Sequence, residues 1–181
     1  MPEKQQANVH SRKSSPAVAA KIPPQSIDAE MSLLGAVLID DDVLADVSET
    51  VKHQDFYDKR HQLIFKSMMH LYEQHKPVDL LTLTEELKKK DDFETVGGST
   101  YLTELTNYVP TAAHAASYAE IVAQKAIRRR LIRASGEISE MSFDEETPTQ
   151  ELLEKAEAEL FNVSDQTIKQ DLTSIETILD E

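Results

Sequence analysis

One stretch, residues 112–142, constrains the fold more than any other. It reads AAHAASYAEIVAQKAIRRRLIRASGEISEMS, with no proline and mostly good helix formers. Ile127, Leu131, Ala134, Ile138 and Met141 are spaced 4, 3, 4 and 3, the step that holds one helix face against a partner helix. After a polar bend at residues 143–146, Leu153, Ala156, Leu160 and Val163 run 3, 4 and 3. The pattern predicts an antiparallel helical hairpin. A helix of about 30 residues is some 45 Å long. Such a length in a domain of this size implies that part of the hairpin projects and meets another chain.

The segments before it read as short helices. Pro23 and Pro24 stop anything helical upstream. Ser26 is the expected cap of a first helix whose buried stripe is Ile27, Met31, Leu34 and Leu38. Val43, Leu44, Val47 and Val51 mark a second. Phe56 anchors a short connection, and a third helix has a wide apolar face of Ile64, Met68 and Leu71 with Phe65, Met69 and Tyr72 alongside. Asp79 caps a fourth, with Leu80, Leu83 and Leu87 inward. Gly97 and Gly98 make a turn, Ser99 is the expected cap of a fifth helix, and Thr111 that of the long one. Thr147, Pro148 and Gln150 spell the start of the second hairpin helix. No strand pattern competes.

The expected fold is all-α: a compact bundle of five or six short helices, a long antiparallel hairpin and a C-terminal linker helix. The expected division is a disordered tail over 1–22, a helical globule over 23–110, the hairpin over 111–165, and a linker with its helix over 166–181.

Charge narrows the function. The chain has 19 basic and 33 acidic residues, net −14. Residues 1–21 hold Lys4, Arg12, Lys13 and Lys21 against Glu3, which leaves −17 on the remainder. An acidic body repels phosphate backbones and forgoes counterion release. The chain by itself is expected to bind DNA poorly. Arg128, Arg129, Arg130 and Arg133 then read better as partners for nearby carboxylates than as phosphate contacts.

Chemistry is sparsely supplied. Cysteine is absent, so no disulfide or thiolate site exists. No apolar run approaches the length of a membrane span, and no signal peptide is legible. A cytoplasmic location follows as the default. The four glycines form no phosphate-binding loop. His61, His70 and His75 are spaced nine and five apart, wrong for a zinc pair on one helix face. They read as surface or half-buried. Asp40, Asp41 and Asp42, with Asp46, are the best case for a small carboxylate metal enzyme, but no glycine turn or distal glutamate completes a calcium loop. No catalytic, cofactor-binding or metal residue is assigned.

Several motifs occur in a set order: P-x-S-x-x-A-E-x-S-x-L-G from Pro24, D-F-Y from Asp55, H-x-x-I-F from His61, P-V-D from Pro77, G-G-x-x-Y-L from Gly97 and A-x-x-Y-A-x-I-V from Ala115. Over about residues 23–164 the chain resembles the N-terminal domain of the DnaB family of bacterial replicative DNA helicases. The resemblance implies a domain that pairs through its hairpins, builds the collar of a hexameric ring and receives primase. It implies partners for the seam Ile127, Leu131, Ala134, Ile138, Met141, Leu153 and Leu160. It also implies that a helix carrying Ile175, Ile178 and Leu179 docks on a neighbouring subunit's motor domain. ATP and Mg²⁺ would serve that RecA-like motor, which would act on DNA as an ATP-hydrolysing helicase. No motor sequence is present in these residues, so neither ATPase nor helicase activity is expected of them. A free-standing adaptor for replication proteins is the alternative.

Overall fold

The computed structural model describes residues 22–179, with side chains described as far as residue 164. Among these residues every element is helical: α1 (Ile27–Ile39), α2 (Leu44–Thr50), α3 (Lys59–Glu73), α4 (Leu80–Lys89), α5 (Gly98–Tyr108), α6 (Ala115–Met141) and α7 (Thr149–Leu179). Short 3₁₀ turns at Asp41–Val43 and His53–Asp55 flank α2.

The centre of the globule is α1. The expected one-sided stripe understates it, because Ala29 through Leu38 are all buried. The run AEMSLLGAVL is apolar or small nearly all round, which is the composition of a helix enclosed on every side. It packs against α5, α6 and α3. Gly35 sets the crossing with α5, for a Cβ there would overlap the carbonyl oxygen of Leu105. Against α6 the contact is made by small side chains: Ala115, Ala119, Val122, Ala123 and Ala126 are all buried. Short side chains let two helices approach closely. The first half of α6 therefore belongs to the globule's core, and the division expected at residue 110 does not separate two bodies.

Burying Glu30 inside α1 requires partners. Its carboxylate accepts the backbone N–H of Tyr57 at 2.7 Å and of Asp58 at 3.3 Å. It also meets His61 Nδ1 at 2.7 Å. His61, which the sequence spacing placed at or near the surface, is fully buried. Its Nε2 lies 2.6 Å from the Tyr101 hydroxyl, and the two rings are nearly parallel at 6.0 Å. The Glu30 carboxyl and the Tyr101 hydroxyl thus engage both ring nitrogens, and the hydroxyl has a proton to give to Nε2. Burial pushes the Tyr101 hydroxyl's pKa up, which keeps that proton in place. Arg60 closes the network from outside, 4.3 Å above the Tyr101 ring and paired with Asp58 at 2.6 Å. Three helices are thus tied by one satisfied polar chain.

Caps follow the sequence in part. Asp79 accepts from Leu81 and Thr82, and Thr82 returns the bond, so α4 starts as expected. Ser26 stands at the head of α1 without a side-chain cap bond. Gly97, at φ +102°, takes the cap position of α5 expected for Ser99. The α6 helix begins at Ala115 after a bend in which Thr111 accepts from Ala113. The expected linker after residue 165 is not a break: α7 continues to Leu179. The segment SDQTIKQDL holds neither glycine nor proline, and polarity alone does not end a helix. Ile175, Ile178 and Leu179 lie along α7, with side chains outside the described residues, as is the tail over 1–21.

Two substitutions test this core. Gly35→Ala is expected to cost about 1–3 kcal/mol through overpacking at the α1–α5 crossing, read as a lower thermal midpoint by circular dichroism. Tyr101→Phe leaves a fully buried ring nitrogen without its partner and is expected to cost about 1–3 kcal/mol. Tyr108→Phe, which removes a surface bond to Asp28, should lower the midpoint less. Equal midpoints for the two tyrosine variants would contradict the assigned network.

Candidate interaction surface

The second half of α6 leaves the globule and pairs with α7. On α6, Ala134 is buried and Ile138 and Met141 are half-buried. On α7, the half-buried positions are Leu152, Ala156, Glu159 and Val163, spaced 4, 3 and 4. These two stripes face each other. The bend between them is held by Asp144, which accepts from the Glu146 N–H and the Thr147 hydroxyl. Those bonds draw the Asp144 carboxyl below its usual pKa.

The expected seam divides under this geometry. Ala134, Ile138 and Met141 close the hairpin on itself. Leu131, Leu153 and Leu160 stay 42%, 53% and 47% exposed. The inward stripe of α7 runs through Leu152 and Ala156, one position away from Leu153, so the leucines fall beside it. At about 100° per residue, Leu131 stands roughly 60° round α6 from Ala134, and Leu153 and Leu160 roughly 70–90° round α7 from its inward stripe, in the same rotational sense. In antiparallel helices, equal rotation brings side chains to the same side of the pair. The three leucines thus form one apolar face. Ile127 is half-buried higher on α6. Ile132, Phe143 and Phe161 are exposed as well, at 59%, 84% and 66%. Sequence reasoning passed over them because they break the 3–4 spacing.

The opposite side of the hairpin is polar. Arg129 donates to the carbonyl oxygens of Pro24, at 2.8 Å, and of Asp55. Burial pulls the Arg129 guanidinium below its usual pKa. Arg130 pairs with the Asp55 carboxylate, which is itself 1% exposed. Arg129 and Arg130 therefore serve carbonyl and carboxylate partners inside the fold, whereas Arg128 and Arg133 are exposed. Beside them lies a cleft of about 820 Å³ between α2, α6 and α7.

The other candidates resolve into local structure. The Asp40, Asp41 and Asp42 carboxylates come within 4.8 Å of one another. Asp40 already accepts from the Asp42 N–H, and Asp41 from the Val78 N–H, so two of the three are engaged in capping a turn and tying down a loop. His70 lies 3.4 Å from the buried Glu86. Of the Glu30–His61–Tyr101 chain the first two are buried and Tyr101 is half-buried, and none lines the cleft. Among the described residues no helix is long and apolar enough to cross a membrane.

Comparison with known proteins agrees with this geometry. Residues 22–124 match the family described as the DnaB-like helicase N terminal domain. A replicative DNA helicase DnaB from Leifsonia xyli is 40% identical over 80% of this chain, and one from Geobacillus stearothermophilus 42% identical over the same share. The chain spans about a third of the length of these curated relatives, 32% in both cases. Among solved structures, the N-terminal domain of DnaB helicase from Mycobacterium tuberculosis superposes with a TM-score of 0.75 at 37% identity, covering 78% of this chain and 99% of that one. A DnaB-like replicative helicase, reported with its interactions with primase, shares the fold at a TM-score of 0.65 and 20% identity. A family match over more than half of the chain, with a likeness that takes in nearly the whole of a solved domain, places this chain in the DnaB-like helicase N-terminal domain family.

Proposed function

We propose that this chain is the collar and assembly domain of a replicative DNA helicase. It associates with copies of itself through the face of Leu131, Leu153 and Leu160, and the ring so built offers primase a docking surface. The observation that carries the reading is that face: three leucines held to one side of a rigid hairpin, in a domain of this family. Apolar side chains so aligned repeat the spacing of a helix–helix seam. The relatives' extra length leaves room for the motor that would bind ATP and Mg²⁺ and unwind DNA, with the hexamer, the neighbouring subunit's motor domain and a cytoplasmic location as further parts of the same proposal. Contact with DNA would come through that longer protein, since the described domain is acidic.

Sedimentation equilibrium of residues 1–181 tests the face. The parent chain is expected to show a mass above that of one chain. Leu131→Glu with Leu160→Glu should bring it to the 20.4 kDa of a single chain, with the helical circular dichroism retained. Both positions are exposed in the single chain, so the fold should tolerate them, unlike Ile138, which also closes the hairpin. An unchanged mass removes the face from the proposal.

A further inference from the structure

The polar ties that hold α6 to the N-terminal segment and to the 53–55 turn meet at one point. Arg129 bridges the carbonyls of Pro24 and Asp55, and Arg130 grips the Asp55 carboxylate. Asp55 is held in turn by the backbone N–H of Lys52, 2.8 Å from its other oxygen. Next to this point α2 meets both α6 and α7 without filling the space between them. The cleft opens there, with Ser48, Glu49 and Lys52 on the globule side and Arg133, Glu137 and Glu159 on the hairpin side.

Two features distinguish this contact from the rest of the core. The Arg130 Nη1 is buried without a hydrogen-bond partner, so the pair is incompletely satisfied. An incompletely satisfied buried pair recovers little of its desolvation cost. The cleft beside it is open to solvent and charged groups line part of it, next to Ala126, Ala134 and Val163, so a released guanidinium and carboxylate would meet charged neighbours and solvent. The α1 core has neither feature. Its Glu30 and His61 are buried away from the cleft, and no member of the polar chain is left unpartnered.

We propose that Arg129 and Arg130 on Asp55 form a releasable pin that sets the angle of the hairpin on the globule, with the cleft as the room into which the hairpin swings. The pin lies within one chain and does not depend on the leucine face. Its release would let a ring built from such chains change shape while each globule stays folded.

The absence of cysteine makes the test direct. Glu73→Cys on α3 and Glu145→Cys in the hairpin bend, both exposed, accept spin labels. The labelled chain is diluted with excess unlabelled chain, so only distances within one chain are read. With the pin intact, one narrow distance distribution is expected. Arg129→Gln with Arg130→Gln should broaden it or add a second population. Asp55→Asn keeps the size of the side chain and an acceptor for Lys52 but removes the charge, and should do the same with the cooperative thermal transition of the globule preserved. An unchanged distribution in both variants overturns the proposal. Loss of the cooperative transition in Asp55→Asn also overturns it, because the pair would then hold the globule together rather than set its angle.

Discussion

A helix buried on every side can carry a carboxylate only if the surroundings satisfy it, and the globule is built on meeting that condition. Glu30 sits in α1, between the helices that enclose it. Its partners come from the start of α3, through two backbone N–H groups and His61, and the chain of bonds reaches α5 through Tyr101. Removing one member strands another away from water, which is why such chains act as a unit. The network also fixes direction. Apolar packing alone tolerates small slides of one helix along another, whereas a carboxylate holding two successive N–H groups at the head of α3 does not. Gly35 adds the complementary constraint, admitting the Leu105 carbonyl where any side chain would exclude it.

From this core α6 carries the architecture outward. Its first half is alanine-rich and lies close on α1, and its second half bears larger side chains and meets α7. One helix thus belongs to two packing layers, which transmits the position of the globule to the hairpin. The hairpin in turn has two unlike sides. One is polar and fastened to Asp55 through adjacent arginines. The other exposes leucines that nothing in the chain covers among the described residues. Their placement follows from antiparallel pairing, which puts equal rotations on the same side. An apolar face of this kind is one that a second helix can cover.

The polar and apolar sides differ in kind. Leucine packing is insensitive to small changes in charge and suits a lasting contact. An ion pair at the edge of an open cleft has a solvated alternative and suits a contact that changes.

Periodicity and composition alone determined that the chain is helical, where its long hairpin turns, and that it lacks the residues of the common phosphate-binding and thiol sites. The ordered motifs determined the family. The helical class and the family survive because helical spacing and short motifs are local properties. The tertiary structure decided the rest. It buried His61, whose spacing along α3 resembled that of any surface histidine, because its partners Glu30 and Tyr101 lie 31 and 40 residues away. It divided one apolar stripe into a closed inner seam and an open face, since a 3–4 repeat does not reveal which of two neighbouring helices each residue will meet. It also carried α7 through a polar stretch that looked like a linker, because a helix is ended by backbone constraint rather than by polarity.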